Sequence, residues 1–393
     1  MSRILEILYT LIVYSIAIVP SVLLAARAET NYRKQRTNRF VFLMTLALLP
    51  PCLLAAFRGV TVGNDVLVYA KPVYLLASKA DSLLSLLRMQ TRYEIGYLTL
   101  AYVASHGFHT FHAMLFLTQL LVLTPIFIGA HRLRNYAPAW SVVMCYLAFF
   151  YVSTFNIMRE GIATSFIFLA FAEIQNKKYY RSALCAALGI LFHSTAAIGI
   201  ALILFILWFR NIKSTKTRAA LLIIITLVVP ICMSRWTQIL TMLVNLGLIK
   251  ARYLKYIDYL QDGTYLTDLY FVNYLELGVR WIGVLIPLLF YQKDNSENGR
   301  FQYSLLIGTL LGTMIYTSVF VALHSSYGYR VSFYLETLLV VWMSTLARER
   351  LSLEKFPLKT FVLLISVVAC FLVLYVWRGV HGTLPFFFQT YDF

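Results

Sequence analysis

Apolar stretches of roughly 17–25 residues recur along this whole chain of 393 residues, and each is long enough to cross a lipid bilayer. Only 13% of the residues are charged, against about 25% in an average soluble protein. The pattern therefore excludes a soluble enzyme and a disordered chain. It predicts an all-α, polytopic integral membrane protein in which residues 1–393 form a single transmembrane domain.

About ten of these stretches are predicted transmembrane helices. They cover residues 4–26, 40–57, 110–130, 139–157, 160–175, 219–233, 270–290, 301–323, 332–346 and 360–377. Two longer segments, 58–109 and 234–269, lie outside them. The second is rich in Tyr, Leu and Lys, a composition typical of helices that lie at the membrane interface.

Basic residues are concentrated in the short loops between the predicted helices. Twenty of the 34 Lys and Arg residues fall in residues 27–39, 131–138, 176–181, 209–218, 291–300 and 347–359. Because cytoplasmic loops carry an excess of Lys and Arg, we expect these six loops on the cytoplasmic side. Both termini and the segments 58–109 and 234–269 are then external. The net charge of +17 orients helices in this interpretation, and no nucleic-acid partner is expected.

Residues 182–208 do not fit a single crossing, because basic loops lie on both sides of them. The parts before and after His193 have about 11 and about 15 residues, and both are short for a full span. We therefore predict a re-entrant helical pair that bends at Phe192-His193-Ser194. Non-helical backbone at this depth must be buried in protein or line a wet cavity, so we expect His193 at a cavity. The alternatives are a true span over residues 182–208 with a misassigned neighbouring helix and, for His193 itself, a histidine satisfied within the core.

Polar side chains that are unusual for a membrane protein gather on the predicted external face, where charges at helix ends or inside helices usually face a cavity. They are Arg58, Asn64, Asp65, Arg159, Glu160, Glu276, Arg280, His324, Tyr327 and Arg330. The four arginines suggest an anion-binding site, because a guanidinium group can form two parallel hydrogen bonds with a phosphate.

Purely structural roles are open alternatives for several of these residues. Arg280 follows Glu276 by four residues, the favourable order for an ion pair within a helix. Arg58 and Arg330 are alternatively anchors that reach the lipid headgroups. Asp65 is alternatively a helix cap.

Familiar catalytic motifs are absent from the sequence. There is no glycine-rich phosphate loop, no H-E-x-x-H and no nucleophile elbow, and the five cysteines show no metal-binding spacing. We therefore expect no metal and no cofactor. An ATP-driven pump is excluded for this chain, and a donor substrate on the external face must already be activated by linkage to a lipid.

Four segments resemble, in order, the motifs of the EpsG-type family of polysaccharide polymerases, relatives of the Wzy-type polymerases. Arg58 to Asp65, followed by Tyr69, resembles R-x-x-x-x-G-T-D-x-x-x-Y. The other three segments are Asn156 to Ala163, similar to N-x-x-R-Q-x-I-A; Leu191 to Ser194, similar to F-H-x-S; and Tyr329-Arg330 with Tyr334, similar to R-x-x-x-Y. Asn64 departs from the usual Thr, and Glu160 stands where Gln is usual, which weighs against a catalytic role for Glu160.

The resemblance implies a glycosyltransferase of the bacterial inner membrane with a GT-C-like or Wzy-like fold. Such an enzyme joins oligosaccharide repeat units carried on undecaprenyl diphosphate into a surface polysaccharide such as O-antigen. Its partners are the lipid-linked donor, the lipid-linked acceptor and the bilayer, with a chain-length regulator and a flippase as further candidates. A flippase or transporter of lipid-linked sugars, a ligase or acyltransferase, and a non-catalytic component of a glycan assembly complex are the alternatives.

The residues then divide by role. The expected diphosphate ligands are Arg159, Arg330 and Arg280, with Arg58 in support. Asp65 and His193 are the candidates for the catalytic base, and Asp65 is favoured because an ordinary aspartate, with a pKa of about 3.9, is ionised without tuning. The supporting residues are Asn64, Tyr69, Glu160, Glu276 and Tyr327.

Overall fold

The computed structural model describes residues 3–63, 65–89, 92–212, 214–247, 271–291, 296–323, 329–347, 358–372 and 384–389. Within these ranges the chain is helical, and the predicted all-α fold class is confirmed. The helices are α1 (Arg3–Arg33), α2 (Thr37–Ala56), α3 (Lys71–Ser78), α4 (Leu83–Arg88), α5 (Ile95–Tyr102), α6 (Phe111–Arg132), α7 (Ala139–Phe149), α8 (Met158–Gln175), α9 (Tyr179–Phe192), α10 (Ala196–Arg210), α11 (Thr215–Ser234), α12 (Trp236–Asn245), α13 (Phe271–Leu289), α14 (Glu297–Leu323), α15 (Tyr329–Ser344) and α16 (Leu358–Phe371).

The lengths of these helices define a multi-pass membrane protein. Among the described residues, α1, α2, α6 and α14 are each long and apolar enough to cross a membrane. Helices α11 and α12 form a fifth span if they are counted together across their bend. Of the other predicted spans, α7, α15 and α16 are shorter apolar helices of 10–17 residues, as are α9 and α10, the two arms of the predicted re-entrant pair. The predicted span 139–157 was too long, because α7 ends at Phe149 and is followed by a turn and a short 3-10 helix.

Small residues allow the first two helices to pack closely. Ala17, Ser21, Ala25 and Ala28 recur at helical spacing on α1 and are buried. The Ser21 hydroxyl donates a hydrogen bond to the carbonyl oxygen of Ala47 on α2 at 2.7 Å. This is the packing expected in a membrane, where helices associate through close contact and hydrogen bonds because lipid is as apolar as the side chains.

The basic loops meet at one end of the bundle, as predicted from their charge. Four contacts join five of the six loops or the helix ends beside them. They are Arg134 Nη2 to Tyr32 Oη at 2.9 Å, Asn176 Nδ2 to Arg132 O at 3.1 Å, Arg210 Nη1 to Gln175 Oε1 at 2.8 Å, and Lys177 Nζ to Glu297 Oε1 at 3.2 Å. The described part of the chain therefore has a basic end, and the opposite end contains the candidate site.

The predicted break at His193 is present, and the two helices beside it form a hairpin. Helix α9 ends at Phe192, and α10 begins at Ala196. Thr195 lies beside Glu160 in the first turn of α8, while Arg210, the last residue of α10, contacts Gln175 at the other end of α8. Helix α9 therefore starts at the basic end and runs along α8 to the bend. Helix α10 returns from the bend to the basic end.

Candidate functional site

The site lies at the end of the bundle opposite the basic loops. The beginning of α8, the bend between α9 and α10, the first turn of α15 and the segment after α2 meet there. The described residues that these elements bring together include Asp65, Arg159, Glu160, His193 and Arg330. All five were predicted from the sequence as candidates, and they come from four segments that are distant in the chain.

A glycine turn places Asp65 against the beginning of α8. Gly63 has φ +92°, and a Cβ atom at this position would lie 2.8 Å from the carbonyl oxygen of Phe155, so only glycine fits. Asp65 Oδ2 accepts a hydrogen bond from the backbone N–H of Met158, the first residue of α8, at 3.4 Å. The carboxylate thus faces the positive end of the α8 dipole. The side chain does not cap the short helix that directly follows it, Val66–Ala70, so a capping role for Asp65 is open only toward the distant α8.

The environment of Asp65 changes its acidity. Burial raises the pKa of Asp65 to about 7, although the nearby Arg330 and Arg159 and the Met158 amide act to lower it, and Glu160 acts to raise it. The expectation of an ordinary, fully ionised aspartate was therefore wrong, because desolvation of the carboxylate outweighs its positive neighbours. A carboxyl group with this pKa exchanges protons near neutral pH.

Arg159 is bound by an acidic residue that the sequence did not indicate as its partner. Its Nη1 atom donates to Glu94 Oε2 at 2.5 Å, and Glu94 directly precedes α5. The guanidinium also lies over the rings of Tyr69 and Tyr93, at 4.8 Å and 5.6 Å from their centroids. Arg159 therefore joins α8 to the segment 58–109, and part of its charge is neutralised.

Glu160 and Arg330 form a loose pair. Glu160 is only 3% exposed, and its Oε2 atom lies 4.0 Å from Arg330 Nη1. Within the described ranges this oxygen has no hydrogen-bond donor. The Arg330 side chain is 30% exposed, which makes its guanidinium more accessible to a ligand than that of Arg159.

His193 lies half-buried at the bend between α9 and α10, where the sequence predicted it. Its Nδ1 atom is 2.6 Å from the hydroxyl oxygen of Thr195, which in turn is 2.8 Å from the hydroxyl of Tyr334 on α15. Tyr334 was already part of the family-like motif. Thr195 was not named as a candidate, although it stands at the serine position of the F-H-x-S motif.

Arg280 lies in a separate cluster. Its predicted ion pair with Glu276 is confirmed, with Arg280 Nη2 at 3.3 Å from Glu276 Oε1. It also donates to Glu336 on α15 and lies 4.0 Å from the centroid of the Tyr316 ring. None of these contacts, all between described residues, joins the cluster to Asp65. An arginine that is already neutralised by two carboxylates is poorly suited to bind a diphosphate.

Replacement of Arg280 by Met should destabilise the protein strongly, by about 3–5 kcal/mol, because it leaves two buried carboxylates without their shared cation. We expect a clearly lower midpoint of thermal unfolding in detergent. Arg300→Met is the matched control, because Arg300 is exposed in a basic loop and its loss should change the midpoint little. Equal midpoints for the two variants would contradict this structural role.

Arg58 is buried beneath residues 384–389, which we name the C-terminal strap. Gly59 N donates to Phe387 O at 2.8 Å, and Gln389 N donates to Phe57 O at 3.0 Å. The Arg58 side chain lies 4.1 Å from the centroid of the Phe155 ring, and its Nη1 atom donates to Ala55 O at 2.9 Å. With 1% of its surface exposed, Arg58 supports the turn before Asp65 and has no surface for a diphosphate.

Three other predicted site residues lie outside the described ranges. They are Asn64, His324 and Tyr327. Within the described ranges, no group of three or more His, Cys, Asp or Glu side chains is placed to hold a metal ion.

These features define a multi-pass helical membrane protein with arginines and carboxylates clustered at the end opposite its basic loops. The chain matches the EpsG family over residues 41–392 and belongs to this family, which is a Wzy-like polysaccharide polymerase family. The family resemblance of the four sequence segments is thereby confirmed. No curated protein and no solved structure matches the chain.

Proposed function

We propose that this protein polymerises lipid-linked oligosaccharide repeat units into a bacterial surface polysaccharide. The donor is the growing glycan on undecaprenyl diphosphate, and the acceptor is a single repeat unit on the same type of lipid. The observation that carries this proposal is that Asp65 lies close enough to Arg330 and Arg159 for their charges to act on its carboxylate, inside a chain that belongs to the EpsG family.

The proposed reaction is a displacement at the anomeric carbon of the donor. A hydroxyl oxygen of the acceptor sugar forms the new bond to this carbon, and the bond between the carbon and the diphosphate oxygen breaks. The hydroxyl proton passes to Asp65, whose pKa of about 7 suits a general base near neutral pH. The diphosphate leaves with the bonding electrons, and its negative charge is stabilised by Arg330 and, behind it, Arg159.

The proposed site faces outward from the inner membrane. The meeting of the basic loops at the opposite end of the bundle supports this orientation, because positive loops remain in the cytoplasm. An external site would receive substrate that has already crossed the membrane on its lipid carrier.

Single cysteines should report this orientation in intact spheroplasts. In a variant without the five native cysteines, we expect a membrane-impermeant maleimide to label Asp81→Cys, in the segment after α2. It should label Lys34→Cys and Lys178→Cys only after the membrane is opened. All three positions are exposed, so unequal reactivity reflects the compartment. Labelling of Lys34→Cys in intact spheroplasts would reverse the orientation and exclude an external site.

A deletion strain tests the proposed activity. Loss of a polymerase should leave single repeat units on the cell surface, because export continues without polymerisation. Loss of a flippase should instead accumulate lipid-linked units on the cytoplasmic side. Purified protein in liposomes should convert lipid-linked repeat units into longer chains without ATP. The absence of such chains, in a preparation that retains folded protein, would contradict the proposal.

A further inference from the structure

The bend between α9 and α10 contains hydrogen bonds that determine which nitrogen of His193 carries the proton. The backbone N–H of Thr195 points at His193 Nδ1, with an N–N distance of 3.3 Å. A backbone N–H can only donate, so Nδ1 is the acceptor. The neutral imidazole then has its hydrogen on Nε2.

The two hydroxyl groups at the bend, those of Thr195 and Tyr334, both donate their hydrogen bonds toward His193. Because Nδ1 accepts, the Thr195 hydroxyl must donate across the 2.6 Å contact with it. The Tyr334 hydroxyl then donates to Thr195 Oγ1 across 2.8 Å. The third contact of Thr195 Oγ1, to Glu160 Oε1, is longer at 3.4 Å and is near the limit for a hydrogen bond. The two short bonds therefore run from Tyr334 through Thr195 to His193, and each polarises the next.

Packing holds this chain of donors in place. Tyr334 is buried, and its ring lies against Gly199, one turn after Thr195 on α10. A Cβ atom at Gly199 would lie 2.4 Å from Tyr334 Cδ1, so the absence of a side chain there lets α10 and α15 approach closely. The tyrosine hydroxyl consequently reaches the bend.

We infer that Thr195 and Tyr334 are positioning residues that hold His193 as the neutral Nε2–H tautomer, so that His193 donates a hydrogen bond to substrate and does not take its proton. This inference rests on the proposed function. The matching acceptor is an oxygen of the lipid diphosphate, on which negative charge increases as the diphosphate leaves. Asp65 is then the base, and the two residues have complementary roles.

The tautomer can be measured without any activity. We would label the histidines of the full-length protein with ¹⁵N and record nitrogen chemical shifts in detergent, where protonated and unprotonated ring nitrogens separate clearly. The signals of His193 are identified by their loss in His193→Gln. We expect the hydrogen on Nε2. Thr195→Val keeps the backbone N–H, which donates at 3.3 Å, but removes the shorter hydroxyl contact at 2.6 Å, so it should increase the share with the hydrogen on Nδ1 without making that form dominant. A wild-type protein with the hydrogen on Nδ1 would overturn the inference.

Turnover in liposomes provides the second test. Glutamine offers an N–H group near the position of Nε2 but cannot act as a base. We expect His193→Gln to keep activity within about tenfold of wild type and His193→Ala to lose about a hundredfold or more, as for the loss of a donor to developing negative charge. If the two variants are equally inactive, His193 is the base and the inference fails.

A double-mutant cycle separates positioning from structure. Thr195→Val should reduce turnover about tenfold in the wild-type background, and Thr195→Ser, which keeps the hydroxyl, should restore it. In the His193→Gln background Thr195→Val should have little further effect, because glutamine has no tautomer to select. Thr309→Val is the control, since it removes a buried hydroxyl that donates only within α14. Equal losses from Thr195→Val in both backgrounds would assign Thr195 a structural role only.

The two tests also distinguish this inference from the proposed function. Wild-type protein that makes no polymer from lipid-linked repeat units refutes the proposed function, whatever the nitrogen shifts show. Wild-type protein that polymerises normally but carries the hydrogen on Nδ1 refutes the inference alone.

Discussion

Replacement of Asp65 by Asn should reduce the turnover of lipid-linked repeat units by about 10²–10⁴-fold, the usual contribution of a general base. Asparagine keeps the size of the side chain and an oxygen for the Met158 amide, so the turn and the binding of substrate should change little. Turnover in liposomes and equilibrium binding of the lipid-linked unit would separate the two effects. Wild-type rates in this variant would leave Asp65 as a helix cap only.

The pH dependence should identify the same group. Burial raises the pKa of Asp65 to about 7, and only the ionised carboxylate can take a proton. Turnover should therefore increase as the pH rises through about 7 and then become constant. Among its neighbours, Arg330 lowers the Asp65 pKa most, ahead of the Met158 amide and Arg159, while Glu160 raises it. Replacement of Arg330 by Gln should therefore move the transition to higher pH. A transition that persists in Asp65→Asn would belong to another group.

Replacement of Arg159 by Ala should abolish chain extension while the protein remains in the membrane. Loss of a cation beside the leaving diphosphate raises the barrier by about 2–4 kcal/mol, and the variant also leaves Glu94 without its 2.5 Å partner. Arg159→Lys should remain strongly impaired, because an ammonium group cannot reproduce the planar guanidinium. The measurement is glycan chain length by gel electrophoresis, together with the amount of protein in the membrane.

Two further variants show what Arg159 does. Arg132 forms a comparable pair with Glu173, at 2.8 Å, at the basic end. Arg132→Ala should therefore leave chain length unchanged and controls for the loss of a partly buried ion pair. Glu94→Gln keeps the arginine but removes its carboxylate. If Glu94→Gln impairs extension as much as Arg159→Ala, the arginine acts by holding the segment 58–109. Normal long chains in Arg159→Lys would reduce Arg159 to a membrane anchor.

Local sequence patterns were sufficient to predict the class of the protein and much of its helix layout. Hydropathy located the apolar helices, four of which are long enough to cross a membrane among the described residues, because the apolar thickness of a bilayer sets the length of an apolar helix. The first five basic loops along the chain, the first at residues 27–39 and the fifth at residues 291–300, were placed at one end from their charge alone. The reason is that Lys and Arg bias which loops remain in the cytoplasm. The break at His193 followed from two apolar pieces that are too short to cross. Each of these inferences needs only neighbouring residues.

The state of the charged side chains depends on contacts between residues that are far apart in the chain. Arg159 is paired with a residue 65 positions away, and Arg280 with one 56 positions away in addition to its predicted neighbour. No sequence pattern marks such partners.

Burial by distant segments also could not be predicted from local sequence patterns. Arg58 lies beneath the C-terminal strap, where the Val60 N–H donates a hydrogen bond to the Gln389 side chain, 329 positions away. The raised pKa of Asp65 similarly results from desolvation that exists only in the folded chain.

The sequence by itself therefore determined that this is a multi-pass helical membrane protein of the EpsG family, and it named five of the polar residues that gather at one end. Only the tertiary structure decided which of those residues are buried, which are paired, and which can exchange a proton. The physical reason is that hydropathy and loop charge act along the chain, whereas desolvation and ion pairing act through space.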